Sequence, residues 1–201
     1  VVHQLAVAPA NLPAFPERRN VRRLRPADQA AVEALYERAA ARGHFALERR
    51  REWWARRLWD YPGDWVVCQG AAGRLEGYLH YEVDTTHGAF QLGLTLTEFV
   101  AVTPAARRGL VGYLASLADQ VSEIHHAAPA DNLWLATLRT AQNLRPGAEM
   151  GVLLDTGGVA HGVMLRVTDV KAALEALPVA PRSRGEVVLE VDDPVLPQNA
   201  L

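Results

Sequence analysis

The 201-residue sequence predicts an α+β fold in which helices flank a mixed sheet. Three observations support this class: two helical patterns come first, three strands then follow as a meander, and one strand runs into a long helix. Strands and helices do not alternate strictly along the chain, so a doubly wound parallel sheet is not expected.

The first half of the chain carries the helices and the meander. After a short strand at residues 21–24, Pro26 suits the first turn of a helix that Gly43 ends, and a second helix is predicted at residues 47–59. Strands are predicted at residues 65–69, 75–83 and 90–102, the first two joined as an antiparallel hairpin by the glycine-bounded turn at 70–73.

The second half begins with a long helix predicted at residues 106–120, introduced by Thr103-Pro104. Its apolar stripe is expected to pack on the sheet and contains Leu110, Leu114 and Leu117. The remaining elements are a strand at 123–127, a helix at 133–138, a strand at 161–167, a helix at 170–177 and a strand at 185–191.

The N-terminal residues predict a linker or an arm. Residues 1–20 hold three prolines and show no clear period. Their apolar side chains have no local helix or strand to join, so we expect them to cover a neighbouring surface; they are Leu5, Val7, Leu12 and Phe15.

The composition excludes several functions. The formal net charge of −2 gives no general attraction to nucleic acid or to an anionic membrane. No apolar run approaches the roughly 20 residues that span a bilayer. Cys68 is the only cysteine, so an internal disulfide and a cysteine zinc site are both excluded. We expect a cytoplasmic protein without nucleic-acid or membrane partners.

Most conspicuous side chains favour structural interpretations. Trp54 is expected in the core, whereas Trp53 lies on another face of the same helix and is a candidate wall of a substrate pocket. The charged run at residues 48–51 is expected to be a solvated helix face. His125 and His126 point to opposite faces of a strand, which is poor geometry for a shared metal. No metal ligand and no catalytic residue are assigned.

A strand, a basic loop and a helix start follow one another at residues 98–120, a pattern typical of an anion site. Its candidate residues are Arg107, Arg108, Gly109 and Gly112. The alternative is a solvated loop that binds nothing.

Five phrases occur in order along the chain: Leu24-Arg25-Pro26-Ala27-Asp28, Asp60-Tyr61-Pro62-Gly63-Asp64-Trp65, Glu76-Gly77-Tyr78-Leu79-His80-Tyr81, Glu98-Phe99-Val100 and Asp119-Gln120-Val121. Together they resemble the second GNAT-like domain of the Eis (enhanced intracellular survival) type of N-acetyltransferase. Residues 162–170 and 189–194 resemble the start of that family's sterol-carrier-protein-like domain. The resemblance implies an arm from a missing upstream domain at 1–20, a GNAT-like domain at 21–145, and a connector with a partial sterol-carrier-like α/β segment at 146–201.

The resemblance also implies where a cofactor would bind. GNAT acetyltransferases hold the pyrophosphate of coenzyme A on a loop that reads Gln/Arg-x-x-Gly-x-Gly/Ala. Counted from Arg107, the first glycine position falls on Leu110 and only Gly112 fits. The loop is therefore degraded, and we expect acetyl-CoA to be used by the complete protein and not bound by this chain.

The functional expectation is a non-catalytic structural portion of an enzyme that transfers acetyl from acetyl-CoA to a primary amine. Its expected partners are the upstream GNAT domain or a second polypeptide, and a homo-oligomer is expected. Two alternatives stay open: a non-enzymatic small-molecule or lipid-binding module, and a free-standing GNAT acetyltransferase with an atypical loop.

Overall fold

The structure is a computed structural model that describes residues 2–42, 46–85, 92–129, 134–139, 157–160, 166–177 and 184–200. It divides into two compact units, Val1–His161 and Gly162–Leu201. No described helix is long and apolar enough to cross a membrane.

The described residues of the first unit form a seven-stranded sheet covered by helices. The strands are β1 (Val2–Val7), β2 (Val21–Arg23), β3 (Asp64–Gln69), β4 (Leu75–Asp84), β5 (Leu92–Ala101), β6 (Val121–Pro129) and β7 (Gly157–Ala160). The helices are α1 (Gln29–Ala40), α2 (Arg51–Trp54, continued by a π turn over Ala55–Trp59), α3 (Pro104–Ala115) and α4 (Trp134–Thr137). Single 3₁₀ turns lie at Pro9–Asn11, Pro16–Asn20 and Pro26–Asp28.

The sheet is mixed, as the sequence predicts. Its order is β2-β3-β4-β5-β6-β1-β7, and β5 pairs with β6 in parallel while the other neighbours are antiparallel. The predicted meander is confirmed in β3, β4 and β5. In its first hairpin Gly73 has a φ of 73°, a left-handed conformation that favours glycine, and Gly70 N donates to Arg74 O at 2.8 Å.

Helices cover both faces of this sheet because successive side chains of a strand point to opposite sides. On β4, Tyr78 packs in the core beneath α1 and α2, whereas Leu79 packs in the core beneath α3. Leu110 and Leu114 of α3 are fully buried, which confirms these two members of the predicted stripe, whereas Leu117 lies beyond the end of the helix and is partly buried. The helix ends at Ala115 and not near residue 120, since turns occupy 116–120.

The N-terminal residues contribute to the sheet, which differs from the predicted arm. β1 lies between β6 and β7, and Val2 pairs with Pro129. Leu5, Val7 and Leu12 are only 5%, 3% and 2% exposed, in the α3-side core. The local sequence does not indicate this pairing because the partner strand lies more than a hundred residues away.

The second predicted helix is shorter and wider than its pattern suggests. Residues 46–50 are not helical, and the helix starts at Arg51. The π turn that follows brings Trp54 and Trp59, five residues apart, into a stack with ring centroids 5.2 Å apart. Burial of these rings favours the wider turn over a regular α-helix.

The second unit contains α5 (Val170–Ala176), close to the predicted helix at 170–177. Asp169 caps it by accepting a hydrogen bond from Ala172 N at 2.9 Å.

The predicted strand at 185–191 is wrong: residues 184–196 have no assigned strand, and Val188 is 92% exposed. A strand needs a hydrogen-bonded neighbour, and the described residues supply none here. Most of the strand predicted at 161–167 lies outside the described residues.

Candidate functional site

The predicted anion-binding loop is a capped helix in the structure. Thr103 Oγ1 accepts a hydrogen bond from Ala106 N at 3.2 Å, and Thr103 O accepts one from Arg107 N at 3.1 Å. A threonine cap followed by proline starts α3 directly after β5. The helix therefore includes all four candidate loop residues: Arg107, Arg108, Gly109 and Gly112.

A carboxylate lies at the start of α3. Thr103 Oγ1 donates to Glu76 Oε2 at 2.8 Å, so the negative charge faces the partial positive charge of the helix N-terminus. Of the three residues after the cap, Pro104 has no N–H and Ala106 already donates to Thr103. At most Ala105 is left to donate to another anion.

The two glycines of α3 serve helix packing. A Cβ on Gly112 would lie 2.7 Å from Phe15 O, and one on Gly109 would lie 2.9 Å from Cys68 Sγ and 3.1 Å from Glu17 O. Both glycines lie on one helix face, since they are three residues apart. They allow the N-terminal segment to approach the helix backbone, and this face is buried.

Arg107 and Arg108 have different surroundings. Arg108 Nε donates to Glu17 Oε1 at 2.7 Å. The Arg107 guanidinium lies over the rings of Phe99 and Trp134, 5.7 Å and 5.9 Å from their centroids. Burial lowers the pKa of Arg107. The guanidinium groups of Arg107 and Arg108 therefore have separate partners and do not converge on one ligand at the first turn of α3.

An aromatic cluster fills the space where β5 and β6 stop pairing. Their parallel ladder ends at Leu96 and His126, although both strands continue. Trp134, only 2% exposed, lies there with its ring 5.1 Å from Phe99 and 5.6 Å from His126. Burial lowers the pKa of His126 and favours its neutral form.

The opposite face of the sheet carries a buried ion pair that the sequence pattern did not reveal. Arg49 donates to both oxygens of Glu98, at 3.1 Å and 2.8 Å, and Tyr78 Oη donates to Glu98 Oε2 at 3.2 Å. The side chains of Arg49 and Glu98 are 14% and 12% exposed. Burial raises the pKa of Tyr78, so its hydroxyl remains a donor. Arg49 therefore corrects the expectation of a solvated charged run at 48–51.

A β-bulge gives Glu98 this orientation. Leu96 and Glu98 are two residues apart and would share a face in a regular strand. The register shifts here, so that Tyr81 pairs with Leu96 and His80 pairs with Glu98. The extra residue, Thr97, turns Glu98 to the face opposite Leu96. No local sequence signal marks such a bulge.

Two neighbouring tryptophans differ as predicted. Trp54 is 1% exposed and packs in the core, which confirms that prediction. Trp53 is 47% exposed, and the Arg57 guanidinium lies 5.9 Å from its ring centroid.

Cys68 is buried, and burial raises its pKa to about 11, so it is not a ready nucleophile.

Comparison with known proteins identifies the architecture. Residues 46–167 match the family model described as an acetyltransferase (GNAT) domain. No curated protein sequence matches the chain significantly. Eis1 from Mycobacterium abscessus is similar in structure, with a TM-score of 0.69 and 25% identity over 99% of this chain and 49% of that chain.

Two GCN5-related N-acetyltransferases share the fold. The protein from Anabaena variabilis gives a TM-score of 0.58 at 14% identity, covering 69% of this chain and 36% of that one. The protein from Kribbella flavida gives 0.55 at 20% identity, covering 69% and 33%. The chain thus spans about a third to a half of the length of these solved structures.

Proposed function

Because the chain belongs to the GNAT acetyltransferase family, we propose that it is a structural domain of an N-acetyltransferase and does not itself hold acetyl-CoA. In the complete protein, acetyl would pass from acetyl-CoA to a primary amine. This chain would shape the enzyme and supply none of the groups that bind the cofactor.

The observation that carries the proposal is the carboxylate of Glu76 at the start of α3. Two unit charges 4 Å apart repel by about 4 kcal/mol near a protein surface. The attraction of a helix N-terminus for an anion is only about 0.3–1 kcal/mol. At such a separation repulsion by Glu76 would outweigh the helix dipole, which supports the view that the residues present do not fit a pyrophosphate here.

The packing of α3 supports the same conclusion. A phosphate-binding loop needs backbone N–H groups that reach the ligand without intervening side chains. Here the Gly109–Gly112 face is covered by backbone atoms of Phe15 and Glu17. Leu110 is fully buried, so the first glycine position of the family's loop is occupied by a core residue.

The role in a larger enzyme is supported by the similarity to Eis1, which covers almost all of this chain and half of that one. We infer an Eis-like organisation, with an upstream GNAT domain or a second polypeptide as partner and with residues after 162 as part of a sterol-carrier-like domain. Trp53 is an exposed aromatic residue that would form one wall of the amine pocket.

Self-association is part of this proposal. The second unit leaves Val187, Val188 and Val195 at 78%, 92% and 68% exposed. Such side chains gain free energy when a partner covers them. Light scattering should find a dimer or larger species, and a monomer at all accessible concentrations would contradict this part.

A thermal-shift titration tests the cofactor part. A ligand at one hundred times its dissociation constant stabilises the folded state by about 2.7 kcal/mol. We expect no rise in melting temperature with acetyl-CoA beyond that given by inorganic pyrophosphate at equal ionic strength. A specific rise would favour a free-standing acetyltransferase instead.

A further inference from the structure

His80 is a buried histidine that the proposed function does not use. It lies on β4 and is only 1% exposed. Two aromatic rings pack against it, Trp65 at 4.6 Å and Tyr61 at 6.2 Å between ring centroids. Residues 60–63, which connect the π turn to β3, lie over the imidazole, and we call them the 60–63 turn. A titratable ring buried beneath an exposed turn is an arrangement that can respond to pH.

The backbone of Gly63 lies directly against the imidazole. Gly63 has a φ of 131°, a conformation that favours glycine, and a Cβ there would lie 2.5 Å from His80 Nε2. Glycine therefore lets the turn approach the ring closely enough to exclude water. Nε2 of His80 is buried and has no hydrogen-bond partner among the described residues. The turn thus covers a ring nitrogen that is left unsatisfied.

The two ring nitrogens of His80 differ in how they accommodate an added proton. Nδ1 lies 2.5 Å from Thr97 Oγ1, and a hydroxyl can either donate or accept a hydrogen bond. That contact is therefore compatible with a neutral and with a charged ring. A protonated ring carries an N–H on both nitrogens, so Nε2 would be a buried donor without a well-placed acceptor. Charging the ring therefore acts against the 60–63 turn and not against the bulge at Thr97.

Burial outweighs the charges around His80. The titratable and charged groups near the ring come from the turn and from three strands; they are Tyr61, Asp64 with its partner Arg23, Tyr78, Glu82, and Glu98 with its partner Arg49. Burial lowers the pKa of His80, although Asp64 and the carbonyl of Pro62 favour a charged ring. Because the pKa is lower in the folded state, the covered ring loses stability as the pH falls below about 6.5, the ordinary pKa of histidine.

The 60–63 turn is the part of this environment that opens most easily. All four residues are exposed, and the backbone hydrogen bond from Tyr61 N to Leu58 O is long, at 3.3 Å. In contrast, β3, β4 and β5 pair with one another along most of their lengths. Local opening occurs first in segments with few buried backbone hydrogen bonds. Lifting the turn admits water to Nε2, which can then carry a proton in solvent.

We propose that His80 is a pH sensor built into the fold: protonation of its ring releases the 60–63 turn from the sheet, while the sheet stays paired. The neutral ring keeps the turn closed over Trp65. The proposal does not rest on the proposed function, because it uses neither acetyl-CoA nor an upstream domain.

The test measures opening of the turn in the full chain as the pH falls. Amide hydrogen exchange of residues 60–66 between about pH 7 and pH 5, corrected for the intrinsic rate, reports the opening, and NMR of the His80 ring reports its protonation. The variant is His80→Gln, which keeps a polar side chain that does not titrate. His126→Gln is the matched control, since burial also lowers the pKa of His126, on β6. The amides of α3 provide the internal reference.

We expect opening of residues 60–66 to rise at least about 3-fold from pH 7 to pH 5, because the uncovered ring binds a proton more tightly than the covered one. The rise should be absent in His80→Gln, persist in His126→Gln and not extend to α3. A smaller rise, an equal rise in His80→Gln or equal opening of α3 would overturn the proposal. A native His80 ring that titrates at or above about pH 6.5 would also overturn it. If His80→Gln does not fold, the unmodified chain decides, since opening of the turn must follow the titration of the His80 ring.

Discussion

Thr103 Oγ1 donates to Glu76 Oε2 at 2.8 Å while it accepts from the backbone of the first turn of α3. One hydroxyl thus joins β4, the end of β5 and the helix start. The chain's own carboxylate thus lies beside the start of α3. The testable consequences concern the packing of α3, the buried ion pair of Arg49 and Glu98, the ion pair of Arg22 and Asp28, and the exposed ring of Trp53.

Gly112→Ala should destabilise the protein although alanine favours a helix interior by about 1 kcal/mol over glycine. The new Cβ would lie 2.7 Å from Phe15 O, and a backbone atom cannot rotate away. We expect a net loss of about 1–3 kcal/mol in the free energy of unfolding, measured by urea titration. Gly158→Ala is the control, because a Cβ added at Gly158 would have no neighbouring atom within 4 Å; a stabilised Gly112→Ala would contradict the packing described for α3.

Removing one partner of the Arg49–Glu98 pair should be costly. Either Arg49→Met or Glu98→Gln leaves a buried charge without its partner, and we expect a loss of about 3–5 kcal/mol. The double variant should lose less than the sum of the two, because no charge is then left unpaired. The exposed pair of Arg23 and Asp64 is the control, and Arg23→Met should cost less than about 1 kcal/mol. Additive effects of Arg49→Met and Glu98→Gln would show that the two do not interact.

Asp28 should make stability depend on acid pH. Hydrogen bonds from Arg22 lower the pKa of Asp28 from 3.8 to about 2. Because the pKa is lower in the folded state, the stabilisation is complete above about pH 4 and is lost as the pH falls through 2. Asp28→Asn should reduce the free energy of unfolding by about 1–2 kcal/mol at pH 6, and this difference should shrink towards pH 2. Asp119→Asn, at an exposed position after α3, provides the matched control; a difference for Asp28→Asn that is constant from pH 6 to pH 2 would contradict the assignment.

The two adjacent tryptophans should respond oppositely to truncation. Trp54→Ala should cost about 3–5 kcal/mol because the ring is 1% exposed in the core. Trp53→Ala should change stability by less than about 1 kcal/mol, since that ring is 47% exposed. In the complete protein, Trp53→Ala should raise KM for the amine more than it lowers kcat. Unchanged amine kinetics would remove Trp53 from the proposed pocket wall.

The elements that sequence patterns predict well are those with local signals. Alternation identifies β4, the glycine turn identifies the hairpin, and the helical period identifies Leu110 and Leu114 as core residues of α3. The spacing of glycines also indicates that the α3 region departs from the family's loop. It does not indicate that the helix begins at Pro104, two residues before the predicted start at residue 106.

What the sequence does not predict depends on distant contacts. Pairing of β1 with β6 joins residues such as Val2 and Pro129, for which no local pattern exists. Arg49 sits in a charged run typical of a solvated surface, yet it reaches Glu98 because the bulge at Thr97 turns that carboxylate inward. The acidic residue at the start of α3, Glu76, likewise belongs to a strand some 27 residues earlier.

The most direct test of the central claim is a calorimetric titration of acetyl-CoA into the unmodified chain at about 0.15 M salt. The proposed structural role predicts no saturable heat up to about millimolar ligand, because Glu76 and the capped helix leave no pyrophosphate site. One-to-one binding with a dissociation constant below about 0.1 mM, displaced by free coenzyme A, would contradict it.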